Sequence, residues 1–473
     1  MKKLKIFLAA LLVTSMTFAA TGCGKSDKSS GDGAKENETQ EFTMPAEREE
    51  KLLAALENEK DVTLDGELEN KTIKWMADWD INPRESDPIP HSDLYYFQKV
   101  YGGNIEYHHV DYEQRYDKLA EAISSGEGID FFYTGNGDAI PKGAIRQLFM
   151  PVDDYIDFNS PLWEDVKEVN DSLMWNDKHY TAIVQTSGDA VAVLYNRKTF
   201  QEAGLDDPAV LYENGEWTWD TFQELLEKFV DTSDQRFGID GWWFEFGLIN
   251  TIGVPPVSIE DGKLVNNLGS PDMERVQNWI YEMYQKDLIA IGVGDYGWEA
   301  KPQYIGEGKL MFYPVGLYEL YTTPDVWKAK YGEDAFFVPM PKDPESDEYY
   351  VPAKMEAYSI VSGASNPEGV AKYLDCKRYL LLNEEARAVA DGAMFVDSYG
   401  WTQEMVDMKD SKEQLALDNP VLDISRGVSA DCGEVLDSDL RNAARGKPWN
   451  ETFDSTNPVV QKYIDKVNSG EID

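Results

Sequence analysis

Between Thr181 and Asp231 the apolar positions change period twice, and each change predicts an element. Ala190 to Tyr195 is a continuous apolar run with β-branched and aromatic members, which predicts a buried strand. Lys198 to Ala203 predicts a short helix stopped at Gly204, where a left-handed cap carries no Cβ penalty. After a polar loop containing Pro208, Phe222, Leu225, Leu226 and Phe229 recur at helical spacing. They share one face of a helix capped by Thr218 or Asp220.

The same reading extends upstream. Lys71 to Met76 predicts a first strand, Ser92 to Val100 a helix, Ile105 to Val110 a strand, Tyr112 to Ser124 a helix, and Gly128 to Tyr133 a buried strand. This β-α-β-α-β order predicts an α/β fold with a doubly wound sheet. Ligands of such sheets lie beyond the carboxyl ends of the strands. The loops 77–80 and 134–138 are therefore the first places to look for a site. Downstream, Asp272 to Lys286 predicts a helix, and Pro45 to Glu59 predicts another, with Leu52, Leu53 and Leu56 on one side.

Composition narrows the functional classes. A net charge of −43 excludes a nucleic-acid-binding surface, which needs clustered Lys and Arg, and it repels anionic lipid. The three cysteines, Cys23, Cys376 and Cys432, have no zinc spacing. The latter two leave one disulfide open in an exported protein. His91, His108 and His109 are too few and wrongly spaced for a metal, so no metal and no cofactor are implied. Residues 1–22 have the basic start and short apolar run of a secretory leader. The small residues before Cys23 resemble a lipoprotein cleavage site, which implies diacylglyceryl anchoring at Cys23. Residues 23–66 read as a flexible, Gly- and Ser-rich tether followed by the short helix.

The segment LYNRKTFQEAGLDDP…EWTWDTFQELLEKFVD resembles the family 1 extracellular solute-binding proteins, the sugar receptors of ABC importers. Further resemblances are IGEGKLMFYP with Gly316 and Tyr318 after it (the family's usual ring there is Trp), FFVPMP, SGASNPEGVAKYL and the closing GKPWNETFDSTNPVVQKYIDKVN. The resemblance implies a two-lobed periplasmic-binding-protein-like fold of type II, with discontinuous lobes joined by a hinge. One lobe would comprise 67–190 plus 336–372 and the other 191–335 plus 373–473. It also implies a carbohydrate ligand in oligosaccharide form, closure of the lobes around it, ABC permease subunits as partners, attachment to the outer face of the cell membrane, a monomeric state and no bond chemistry.

A sugar receptor needs carboxylates and amides for hydroxyls and flat rings for sugar faces. Loop position nominates Trp79, Asp80, Asn136, Asp138, Asp189, Trp242, Trp243, Tyr313, Tyr318 and Met355, with Trp298 and Trp401 added on composition. If Trp242 and Trp243 lie on a strand, at most one faces the cleft. Asp80 and Asp138 also suit helix caps. Two alternatives stay open: a receptor for a peptide or polyamine, and a secreted glycoside hydrolase. The second would need two carboxyls at a fixed separation, a pair the sequence does not single out.

Overall fold

Strand β1 (Thr72–Ala77) begins the first sheet in the computed structural model, which describes residues 43–57, 64, 66–83 and 90–471. The leader, Cys23 and nearly all of the tether lie outside the described residues. Ile73 and Trp75 of β1 enter one core while Met76 enters another, as the two-residue period of a strand requires. Strands β2 (Asn104–His109) and β3 (Phe131–Tyr133) flank β1 in parallel, and β4 (Ala182–Ser187) forms an edge.

The chain then crosses to a second sheet through one tight turn, Gly188–Ala190. Strand β5 (Ala192–Asn196) is buried at every residue, which explains its unbroken apolar run. It is followed by β6 (Phe237–Ile239), the hairpin β7 (Val257–Glu260) and β8 (Lys263–Asn266), β9 (Leu310–Val315) and β10 (Ala335–Val338). The chain returns through β11 (Val351–Pro352) to β12 (Lys354–Ile360), and β13 (Pro420–Val421) later pairs with β11.

The sheet orders are β2-β1-β3-β12-β4 and β10-β5-β9-β6. Because β12 runs antiparallel to β3 and β4, its amino end lies with their carboxyl ends. In the second sheet, β5 is antiparallel to β9 and β10, and β6 is parallel to β9. The loops following β1, β3, β6 and β9 are thereby gathered at the ends of the two sheets where the chain crosses.

Local chemistry in the 181–231 segment follows the sequence. Asn196 caps the helix Arg197–Ala203 by accepting from the Lys198 amide at 3.0 Å, and Gly204 ends it at φ 66°. Thr218 and Thr221 form a reciprocal capping pair on the helix Trp219–Phe229, so Thr218 rather than Asp220 is the cap. Trp219 stacks on Trp279 at 4.4 Å, tying this helix to Pro271–Gln285.

One expected boundary changes, and one pairing left open is decided. The division at 372/373 falls inside the helix Pro367–Leu382, whose Val370, Tyr373, Leu374 and Tyr379 belong to the core of the first sheet. The next helix, Glu384–Gly392, packs there as well, against the N-terminal helix Ala46–Glu57. Tyr379 and Asn383 donate to the Leu56 and Ala55 carbonyls, closing that contact. The first half therefore keeps the chain through both helices. Cys376 and Cys432 are free, buried thiols in different cores, so no disulfide joins them.

The helix Gln403–Asp418 lies across the first crossing. Its buried Lys412 donates to the carbonyls of Gly188 and Val191 at 2.7 and 2.9 Å, and Ala416 accepts from the Thr186 hydroxyl at 2.8 Å. A Cβ on residue 188 would stand 2.5 Å from the Lys412 carbonyl oxygen, so glycine is required there. Residues 41–473 form one body, and the core of the second sheet extends onto Met76, Phe132, Ile183 and Met355.

Candidate ligand-binding site

At the end of the first sheet one indole is presented to solvent. Trp79 is exposed and held edge-on between Trp75, at 5.5 Å, and Tyr133, at 5.2 Å. Its neighbours among the nominated residues serve the loops instead. Asp80 accepts from the Asn82 amide at 2.9 Å and side chain at 3.0 Å, an Asx turn. Asp138 is buried, paired with Arg115 and bonded by the Tyr116 hydroxyl at 2.8 Å. Burial and the adjacent Asp138 push Tyr116 well above the ordinary phenol range. Asn136 is an exposed turn residue, while the Met355 side chain is buried and its carbonyl accepts from Tyr133 at 3.2 Å.

Asp189 lies in the crossing turn. Its Oδ2 accepts from the Tyr321 hydroxyl, and its Oδ1 is buried with no hydrogen-bond partner. Tyr321 in turn stacks on Tyr399 at 5.8 Å and packs on Trp401, which is buried and donates to the Leu320 carbonyl. Nearby Lys412 pays for its depth: desolvation pulls its pKa down to about 8 against the opposing pull of Asp189 and Glu413.

At the end of the second sheet the aromatic residues are turned outward. Trp242, Trp243, Trp298 and Tyr318 are all exposed. Trp242 and Trp243 occupy the turn after β6 rather than a strand, so both reach the same space; the one-of-two restriction does not apply. With Trp298, Asp240, Glu245 and Arg441 they line a cavity of about 600 Å3. Tyr318 stands beside Trp243, its ring folded back over Gly316, where a Cβ would come within 2.3 Å of it. Tyr313 differs from expectation. It is 2% exposed, so its ring has no free face to offer a ligand.

Asp240 and Glu245 are carboxyls that sequence reading missed. Asp240 accepts from Tyr296 at 2.5 Å and from the Gly241 amide at 2.7 Å, and burial raises its pKa. Arg441 reaches the cavity from the C-terminal return, donating to the Trp242 carbonyl at 3.4 Å. It is about 200 positions from the tryptophans it meets, and no local pattern announces it. A second cavity, of about 400 Å3, lies where Ser172 and Leu173, β7 and the connection 417–424 meet; none of the nominated residues lines it. Among the described residues no group of three or more His, Cys, Asp or Glu is arranged to hold a metal, and no helix is long and apolar enough to cross a membrane.

Solved structures with this fold include a cyclo/maltodextrin-binding protein complexed with maltotetraose, with a TM-score of 0.59 at 14% identity, over 86% of this chain and 100% of that one. A cyclic α-maltosyl-1,6-maltose-binding protein from Arthrobacter globiformis gives 0.60 at 13%, over 84% and 99%. An ABC substrate-binding protein from Listeria monocytogenes in complex with cycloalternan gives 0.56 at 14%, over 84% and 99%. These likenesses establish the two-lobed periplasmic-binding-protein fold. Comparison with curated proteins returns no match. The sequence model of the bacterial extracellular solute-binding proteins matches residues 86–385, well over half of the chain, and the protein belongs to that family of binding proteins.

Proposed function

We propose that this protein captures a carbohydrate, in oligosaccharide form, between the ends of its two sheets and presents it to an ABC permease without altering it. The observation that carries this reading is the set of outward-facing rings at the crossing: Trp79 on one side and Trp242, Trp243, Trp298 and Tyr318 on the other. Most other large aromatics of the chain are buried, and exposed flat rings are what sugar faces stack on. The sugars bound by the structural neighbours support the same class of ligand.

The two halves act as lobes that close on the ligand, the permease reading closure from surfaces of both near the cleft mouth. The first lobe comprises the described chain to Ser187 with the strand β12 and the two helices after it; the second holds β5 to β10 and the C-terminal helices. Diacylglyceryl modification of Cys23 would keep the protein, as a monomer, at the outer face of the cell membrane. One observation favours an enzyme: Asp240 and Glu245 share an aromatic cavity and both have raised pKa values. Asp240 is, however, already bonded by a tyrosine and the backbone.

The test is a thermal-shift screen of the body from residue 43 onward against oligosaccharides, peptides and polyamines. A ligand at a hundred times its Kd adds about 2.7 kcal/mol of stability. Stabilisation by an oligosaccharide that is recovered intact supports the proposal. Recovery of cleaved sugar, or stabilisation by peptides or polyamines alone, overturns it.

A further inference from the structure

The cavity of about 400 Å3 lies beside the helix Lys167–Asp171. It shares no lining residue with the cavity of the tryptophans, and among the described residues no loop after β1, β3, β6 or β9 lines it. Three passes of the chain wall it instead. Val169 and Leu173 come from the first half, Val257 and Ile259 from β7 in the second, and Leu417 and Leu422 from the end of the helix Gln403–Asp418 and the segment after it. The hairpin of β7 and β8 bridges the halves. Asn468, at the end of the C-terminal helix, accepts from the Leu264 amide and donates to the Leu264 carbonyl, both at 2.9 Å. The hairpin's turn reaches the first half, where a Cβ on Gly262 would stand 3.2 Å from the Asn176 amide nitrogen. Folded interiors leave few voids larger than a water molecule. This one has the size of a small-molecule pocket, about 300–1,000 Å3.

The lining defines both ends of an occupant. Val169, Leu173, Val257, Ile259 and Leu422 suit an apolar body. The charged lining is acidic throughout: Asp165, Glu168 and Asp418 stand exposed at its edge, and no Lys, Arg or His lines it. Asp165 is paired with Arg378, and Asp418 accepts from Gln414 at 2.8 Å. The Glu168 carboxylate has no partner among the described residues. A carboxylate ligand would meet three like charges here. A sugar would find one ring, Tyr350, which lies against Gly253. An ammonium finds an open acceptor and a field of matching sign.

We propose that this cavity is a second ligand site, for a small ammonium compound with an apolar body, and that its occupant braces the two halves at one angle. The ammonium sits at the acidic edge beside Glu168, and the apolar part lies among Val169, Leu173, Val257 and Ile259. Because those walls belong to both halves, the occupant gains its full contact only in the arrangement that brings them together. Binding therefore shifts the population toward that arrangement. The inference goes beyond the carbohydrate reading and does not rest on it, since this site needs no sugar and the sugar site needs no amine.

The experiment titrates the body from residue 43 onward with three probes of one shape, phenylbutylamine, phenylbutanol and phenylbutanoate, by calorimetry at pH 7 in about 0.15 M salt. The expected order of affinity is amine, then alcohol, then carboxylate. Glu168→Gln combined with Asp418→Asn should weaken the amine about five-fold and leave the alcohol within about two-fold. Ile259→Trp and Ser172→Trp fill the space from the two halves, and each should abolish binding of all three probes. Melting without probe shows which filling variants are folded, and either one decides. Spin labels on Glu121→Cys and Glu282→Cys, one on each half, should give a narrower distance distribution with the amine bound, the thiols of Cys376 and Cys432 being buried. No binding of the amine would overturn the inference, as would equal affinity for the three probes. Amine binding that survives in a folded filling variant, or distances unmoved by saturating amine, would overturn it too. None of these results bears on the carbohydrate reading, which the sugar screen decides.

Discussion

The two sheet ends that meet at the crossing are built from similar residues and use them in opposite ways. At the first, the polar side chains Asp80 and Asp138 are turned inward to loop and ion-pair duty, leaving Trp79 and, after β2, Tyr112 as exposed rings. At the second, Trp242, Trp243, Trp298 and Tyr318 are exposed. An acid or ring at a strand end is thus either scaffold or contact surface, and its hydrogen-bond partners decide which. On the proposed carbohydrate reading the contrast would make the grip uneven, with more of the exposed ring area on the second half.

Substitutions can break that comparison, taken here from the largest expected effect to the smallest. Asp138→Ala strips Arg115 of its buried partner and should destabilise the fold by about 3 kcal/mol, read by denaturant unfolding. Sugar affinity at a temperature where the variant is folded should stay within about two-fold. The double substitution Trp242→Ala and Trp243→Ala should do the opposite, weakening binding by about 100-fold, or about 2.7 kcal/mol, through lost stacking and apolar contact, with little change in melting. Calorimetric titration checks it, and equal losses of affinity at both sheet ends would end the idea of an uneven grip. Trp79→Ala should cost about ten-fold or less in the same assay. Tyr313→Phe should leave affinity unchanged, since that ring has no open face.

The crossing itself has a pH signature. Lys412 has its pKa lowered to about 8 from an ordinary value of 10.5. Between these values the unfolded chain holds a proton that the folded chain has released, so stability increases with pH across the window. Lys412→Met should remove that increase, measured as melting temperature from pH 8 to 10.5, because the ammonium whose pKa is lowered into this window is then gone.

Much of this organisation was legible in the sequence, for reasons that differ by residue. The strands β1, β2, β3 and β5 and the caps at Gly204 and Thr218 follow from local periodicity and side-chain chemistry, which neighbouring residues settle among themselves. The position of Trp79 followed in turn, since it comes just after a legible strand, whereas Tyr318 came from the family resemblance and no strand was read before Trp242 and Trp243. The partners of Asp138 were not legible because Arg115 and Tyr116 lie on the helix Arg115–Ser125, and nothing local ties them to it. The depth of Tyr313 was not legible because a strand's pattern does not say how deeply its final ring is covered. Glu245 and Arg441 were missed because their meaning arises only when the C-terminal return brings them together. The helix Pro367–Leu382 was divided wrongly because helical periodicity gives a buried face without naming the sheet it covers.

The docking of Ala46–Glu57 against Tyr379, Asn383 and Ala386 has a mechanical consequence. Any tension transmitted along the N-terminal segment is delivered to the half built on β1, the one bearing Trp79. With Cys23 anchored as proposed, that half would be the stationary jaw. The jaw with the tryptophan pair would then be the one that travels with the guest.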